Sequence, residues 1–178
     1  RDRNETAPVV NLSASANTIA ENSGSSITLT ATLNFATIID TDITISTSGT
    51  ALEGTDYGNV ADITISAGDT TGTATFTPTD DSVYEGNETA TITMASITGA
   101  DEGSTTSQTI TITENESAPT VTLATSATSI AENAGSSLTL TATLSNPTTA
   151  DVTVGISTSG TGTEGTDYST ISDITISA

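Results

Sequence analysis

Apolar and hydroxyl-bearing residues alternate along most of this sequence. Residues 26–33 read SITLTATL, so isoleucine, leucine and alanine fall on one face of an extended chain and serine and threonine on the other. Successive side chains of a β-strand point to opposite faces, and strict alternation therefore predicts half-buried strands. Similar runs occur at residues 42–46, 61–65, 89–94 and 109–113. No segment has helical periodicity, so we predict an all-β fold.

The sequence also repeats itself with a period of about 111 residues. APVVNL at residues 7–12 returns as APTVTL at 118–123, and EGTDY at 53–57 returns at 164–168. A repeat of this length can bury a core of its own. We therefore expect tandem domains that fold independently and not the turns of a solenoid.

Seven strand-like segments separated by Gly-, Asp- and Ser-rich turns are typical of an antiparallel immunoglobulin-like β-sandwich. In the first repeat we expect strands near residues 9–12 with 17–20, 25–33, 42–47, 60–66, 71–78, 88–96 and 105–113.

The repeat predicts four consecutive regions: a leader at residues 1–6, a sandwich at 7–114, a linker at 115–119 and a second sandwich at 120–178. The second sandwich is expected to be truncated, because it has counterparts of only the first four strands. An exposed apolar face and open strand edges would follow. Either a longer protein or another chain would then complete it.

Four carboxylates fall within nine residues directly after the predicted strand at 71–78: Asp80, Asp81, Glu85 and Glu88. The chain has 22 acidic residues against 2 basic ones, Arg1 and Arg3. The cluster therefore needs either bulk water or an added cation to relieve its repulsion. Hard oxygen ligands in a flexible loop suit Ca²⁺, and a solvated acidic turn is the alternative.

Composition excludes several classes of function. A net charge of −20 excludes nucleic acid as a partner, and it disfavours anionic membrane surfaces. Without cysteine or histidine the chain has no thiolate zinc site and lacks the commonest general base. Three tyrosines and two phenylalanines offer little of the aromatic platform expected in a sugar-cleaving site. We predict that the protein is not an enzyme, and no apolar run is long enough to insert in a membrane.

Five motifs in order resemble the Calx-beta domain family. They are IAENSG at 19–24, GTDY at 54–57, PTDD at 78–81, EGNE at 85–88 and TENE at 113–116. The resemblance implies a seven-stranded sandwich that binds Ca²⁺ at the end where the last strand exits. The ligand positions that it implies are Glu21, Asp56, Asp80, Asp81, Glu85 and the exit residues Glu114 or Glu116.

Two further expectations follow from the resemblance. Family members with several ions carry a run of aspartates at the exit, whereas this chain has Glu114-Asn115-Glu116, so we expect one or two ions. The second repeat retains only Glu132 and Asp167, which predicts an incomplete site. Asp56 has a local alternative, since Asp beside Gly commonly hydrogen-bonds its own turn.

The leading hypothesis is a calcium-binding structural repeat of a long bacterial surface protein, an adhesin or a gliding-type filament. It would be extracellular, with neighbouring repeats as its partners and Ca²⁺ stiffening the linker. One alternative is an adhesive module that binds a glycan or a host protein. Another is a regulatory calcium sensor, the role that the resemblance implies for such domains in membrane ion exchangers.

Overall fold

The computed structural model describes residues 6–178, and its contacts divide the chain into two compact units. The first unit runs to Asp81 and continues from Gly86 to Asn115. The second contains Ser82–Glu85 and Glu116–Ala178. Most of the predicted leader, residues 1–5, lies outside the described residues.

The first unit is built from short strands, as the alternation predicts. Its strands are β1 (Val9–Ala14), β2 (Thr18–Ala20), β3 (Ile27–Leu33), β4 (Thr41–Gly49), β5 (Ile63–Ile65), β6 (Thr71–Phe76), β7 (Glu88–Thr98), β8 (Asp101–Glu102) and β9 (Ser107–Thr113). A single 3₁₀ turn, Glu21–Ser23, follows β2. Each strand segment expected from the sequence overlaps one of these strands, the first overlaps both β1 and β2, and the two-residue β8 is an addition.

The strands form two sheets, as expected for a sandwich. One sheet has the order β6-β3-β1-β8 and the other the order β2-β9-β7-β4-β5. Most pairs are antiparallel, but β1 pairs with β8 and β2 pairs with β9 in parallel. The first predicted strand region is split, because β1 joins one sheet and β2 joins the other. The chain therefore crosses between the sheets after Ala14, which the sequence pattern alone did not indicate.

The core lies between the apolar faces of these sheets. The alternate residues Ile27, Leu29, Ala31 and Leu33 of β3 are all buried, which confirms the predicted face of this strand. Tyr57 and Phe76 stack in the same core with ring centroids 4.7 Å apart. Other large side chains that are fully buried are Val10, Leu12, Ile43, Ile63, Ile65, Ile92 and Ile110.

The second unit has four strands in two pairs. β10 (Val121–Thr125) pairs with β11 (Leu140–Leu144), and β12 (Val152–Val154) pairs with β13 (Ile174–Ile176), both antiparallel. No side chain among residues 116–178 is buried. Several apolar side chains are therefore exposed, namely Val121, Leu123, Ile130 and Leu138. Residues 129–131, the counterparts of β2, form no strand, because β2 is held by β9 and residues 116–178 include no counterpart of β9.

Gly49 ends β4 where the backbone passes close to the start of β7. Its φ is 129°, and a Cβ at this position would clash with the Thr89 carbonyl oxygen. Gly49 pairs with Ala90 in the β4–β7 register, so the glycine lets the two strands approach.

We predict that Gly49→Ala destabilises the first unit by about 1–3 kcal/mol, because the added methyl group must displace a paired strand. Gly58→Ala is the matched control, since a Cβ there meets only the Thr77 carbonyl oxygen at 4.0 Å. Urea unfolding of the two variants measures the difference. Equal midpoints for both would show that the Gly49 contact is not needed.

Candidate metal centre

The topology brings acidic residues together at one end of the first unit, which we call the acidic pole. β2 and β9 run parallel, so the residues that follow them, Glu21 and Glu114, leave the sheet at the same end. β7 runs antiparallel to β9, and its first residue Glu88 pairs with Ile112 near the end of β9. Strand direction alone therefore gathers carboxylates from three strand ends.

Glu21 and Glu114 form the first close pair at this pole. Carboxylate oxygens of the two residues lie within 4.8 Å of one another. The Asp81 N–H donates to Glu21 Oε1 at 3.1 Å, and the Gly86 N–H donates to Glu114 Oε2 at 2.8 Å. The Glu114 N–H in turn donates to Asn87 Oδ1 at 3.0 Å. These bonds anchor the loop between β6 and β7 to the ends of β2 and β9, and they orient both carboxylates.

Burial perturbs the Glu21 carboxyl. Its side chain is 8% exposed, and desolvation raises the pKa of the Glu21 carboxyl above its ordinary value of 4.5. The Asp81 N–H bond opposes this effect, whereas the charges of Glu114, Asp81 and Asp80 raise the pKa further. Ionising Glu21 at neutral pH therefore costs free energy in the folded protein.

Asp56 and Glu88 form a second close pair. Their carboxylate oxygens also lie within 4.8 Å of one another, and Asp56 is 8% exposed. Asp56 Oδ2 accepts from the Leu52 N–H at 2.5 Å, and the Asp56 carbonyl accepts from the Thr79 N–H at 2.9 Å. The local alternative for Asp56 is thus confirmed, and the same turn carries its carboxylate to Glu88.

The remaining residues predicted for the first site lie at or next to the pole. Asp80 and Asp81 are exposed, and their charges act on Glu21. Glu85 directly precedes Gly86 in the chain and Glu116 follows Glu114 by two residues; both belong to the second unit, and their role as ligands stays a prediction.

The two residues predicted in the second repeat, Glu132 and Asp167, are exposed. Asp167 Oδ2 accepts from the Thr163 N–H at 2.7 Å, which matches the turn bond of Asp56. Within residues 6–178 neither residue joins a group of acids that could hold a metal. That this repeat has an incomplete site stays a prediction.

Glu88 is the site residue that the sequence analysis did not assign as a ligand. Glu88 is the first residue of β7, and its carboxylate lies within 4.8 Å of that of Asp56. The spacing Glu85-x-x-Glu88 was the available signal.

The chemistry of these donors fits a hard divalent cation. Each of the four close residues, Glu21, Glu114, Asp56 and Glu88, offers carboxylate oxygen. At 4.8 Å and an effective dielectric of about 20, each pair of charges repels by about 3.5 kcal/mol. Ca²⁺ binds six to eight such oxygens in flexible geometry, so one ion bound between the carboxylates would offset their repulsion.

Comparison with known proteins finds one matching family model and several solved structures with a similar fold. The model of the Calx-beta domain matches residues 3–116 and again residues 114–175. The crystal structure of CBD12 from CALX1.2 superposes with a TM-score of 0.51 at 19% identity, covering 59% of this chain and 44% of that chain. The apo form of the Calx CBD1 domain gives a TM-score of 0.48 at 20% identity, covering 61% of this chain and 98% of that one.

The calcium binding domain CBD12 of CALX1.1 is a further similar structure, with a TM-score of 0.49 and 20% identity over 57% of this chain and 44% of that chain. The chain thus spans less than half the length of the two CBD12 structures that it matches. No curated protein matches the sequence. Within residues 6–178 there is no helix with the length and apolar character to cross a membrane.

We predict that Glu21→Gln raises the stability of the cation-free protein at neutral pH. A raised pKa means that the folded state holds the proton more tightly, so this stability is fully present below about pH 4.5 and is lost as pH rises through the folded pKa. The variant should therefore melt at a higher temperature than the parent at pH 7 in chelator, and the difference should vanish at pH 4.

Glu53→Gln is the control, and its expected change in melting temperature has the opposite sign. Hydrogen bonds from Thr47, the Val60 N–H and Asn59 lower the pKa of Glu53, so its ionised form stabilises the fold at neutral pH. That variant should melt at a lower temperature than the parent at pH 7. A shift of the same sign in both variants would contradict the electrostatic account of Glu21.

Proposed function

Because the chain belongs to the Calx-beta family, we propose that its first unit is a non-catalytic structural module that binds Ca²⁺ at the acidic pole. The observation that carries this proposal is the pair Glu21–Glu114. The fold holds the buried Glu21 beside a second carboxylate, and backbone N–H groups of the loop between β6 and β7 orient both of them. Carboxylate oxygens that the fold brings together in this way from separate strands are the ligands that Ca²⁺ prefers.

Two carboxylate pairs support binding of one or two ions. Glu21 and Glu114 would hold one position, and Asp56 and Glu88 would hold the neighbouring one. Asp80 and Asp81 lie close enough to act on Glu21, and they are proposed as further ligands. Glu85 and Glu116 complete the proposed set of ligands. Glu85 precedes Gly86 and Glu116 follows Asn115, and the N–H groups of Gly86 and Asn115 both donate to the Glu114 carboxylate.

The ion would stiffen the module by joining its two sheets. Glu21 and Glu114 follow strands of the five-stranded sheet, whereas Asp80 and Asp81 follow β6 of the four-stranded sheet. Extracellular calcium modules bind at about 10⁻⁴ to 10⁻³ M. At a hundredfold excess over the Kd, binding adds about 2.7 kcal/mol to the stability of the folded state.

The setting that we propose is a tandem array on the bacterial cell surface, in an adhesin or a gliding-type filament. Support comes from the repeat of about 111 residues and from the strong excess of acidic residues, which suits a calcium-rich extracellular medium. In such an array the module acts as a spacer, and Ca²⁺ limits bending next to the exit residue Glu114.

We expect calorimetric titration of the full chain with Ca²⁺ to give saturable binding and a higher melting temperature. Glu21→Gln combined with Glu114→Gln should weaken the affinity by tenfold or more, equivalent to about 1.4 kcal/mol. Asp69→Asn is the matched control, because Asp69 is exposed in the turn between β5 and β6, away from the pole. Binding that survives the double change unaltered, or a melting temperature that chelator leaves unaltered, would overturn the proposal.

A further inference from the structure

The loop between β3 and β4 of the first unit exposes an apolar surface, which we call the 35–39 patch. Phe35 is 44% exposed, Ile38 is 97% exposed and Ile39 is 59% exposed. Together with Ala7 and Pro8 they line a shallow concave surface. Removing apolar surface from water stabilises a protein by about 25 cal/mol per Å². Contiguous apolar patches that stay exposed therefore mark interaction sites.

The patch lies at the end of the first unit opposite the acidic pole. It ends two residues before Thr41, the first residue of the nine-residue strand β4, and β4 ends at Gly49, which pairs with Ala90, two residues after Glu88. Nine residues of strand span about 30 Å. The patch and the acidic pole are therefore the two ends of one module.

The second repeat contains a loop of the same conformation. In the first repeat the Thr37 hydroxyl donates to the Ile39 carbonyl at 2.5 Å, and in the second the Thr148 hydroxyl donates to the Ala150 carbonyl at 2.7 Å. Each loop also ends in an aspartate whose side chain accepts a hydrogen bond from the last residue of an ITISA sequence. Asp40 accepts from the Ala67 N–H at 2.8 Å, and Asp151 accepts from the Ala178 N–H at 2.9 Å.

Within the second unit this loop already has an occupant, the segment Ser82–Glu85. The Tyr84 N–H donates to the Pro147 carbonyl at 3.0 Å, and Tyr84 forms a parallel β-bridge with Thr148. Pro147 and Thr148 are the counterparts of Ala36 and Thr37 in the repeat. The chain thus shows what kind of segment a loop of this shape accepts.

We propose that the 35–39 patch binds the Ser82–Glu85 segment of a second copy of this module. Tyr84 of that copy would donate its N–H to the Ala36 carbonyl and pair with Thr37, as it does with Pro147 and Thr148 here. Isoleucines stand at positions 38 and 39 where the second repeat has Thr149 and Ala150, so the apolar side chains Val83 and Tyr84 gain more contact. The inference rests on the proposed tandem array and specifies how its modules join.

The acidic pole controls the segment that docks. Ser82–Glu85 is bounded by Asp81 and Gly86, whose N–H groups donate to Glu21 and Glu114. An ion that holds these two carboxylates would hold both ends of the segment, and it would lower the entropy cost of docking. The segment Ser82–Glu85 therefore couples Ca²⁺ binding at the acidic pole to docking on the next module.

Disulfide trapping tests the contact, since the chain contains no cysteine. The chain is lengthened by one additional copy of residues 7–117 placed before residue 7. Tyr84→Cys is made in the added copy and Thr37→Cys in the following one, a pair that a β-bridge would bring within disulfide range. We expect cross-linking in mild oxidant as fast as in the 178-residue chain carrying Tyr84→Cys with Thr148→Cys.

Two variants make the test specific. Leu52→Cys in place of Thr37→Cys should not cross-link, because Leu52 is 62% exposed just beyond the other end of β4. Ile38→Glu with Ile39→Glu should slow trapping about tenfold by placing charge on the patch, and the exposed positions leave the fold intact. Trapping no faster than with Leu52→Cys would overturn the inference.

Calorimetry on the same chains separates the two proposals. Calcium binding without trapping would overturn the docking contact and leave the proposed function standing. Trapping without calcium binding would overturn the proposed function and leave the contact standing.

Discussion

The gathering of carboxylates from distant strands at one end of the first unit is the constraint on which this molecule depends. The sequence has 22 acidic residues against 2 basic ones, and the fold places Glu21 beside Glu114 and Asp56 beside Glu88. Backbone N–H groups donate to Asp56, Glu21 and Glu114 and so orient these carboxylates. Burial and the neighbouring carboxylates raise the pKa of Glu21, so its ionised form is disfavoured in the fold, and a cation bound there would offset that cost.

The sandwich creates this situation through strand direction. Because the first strand region divides between the sheets, β2 becomes an edge strand that runs parallel to β9. A parallel pair places both C-terminal ends at one pole, which brings Glu21 and Glu114 together across 93 positions of sequence. An antiparallel pairing of the same strands would have put the two glutamates at opposite ends.

The same geometry gives the module two different ends. Carboxylates crowd one end, and Phe35, Ile38 and Ile39 are exposed at the other. Their separation by the length of β4 suits the head-to-tail joining proposed above, because the two ends differ in chemistry. A heterologous contact of this kind extends into a filament, which agrees with a repeating sequence.

The sequence by itself determined the all-β class, the period of about 111 residues, the buried face of β3 and the cluster at residues 80–88, because each is written in local spacing. It also indicated the turn role of Asp56. Tertiary structure alone decided the parallel pairing of β2 with β9, the approach of Glu88 to Asp56 and the placing of an apolar patch opposite the acids. The physical reason is that register and strand direction depend on which distant segments pair. The alternation of residues along one strand does not specify the strand with which it pairs.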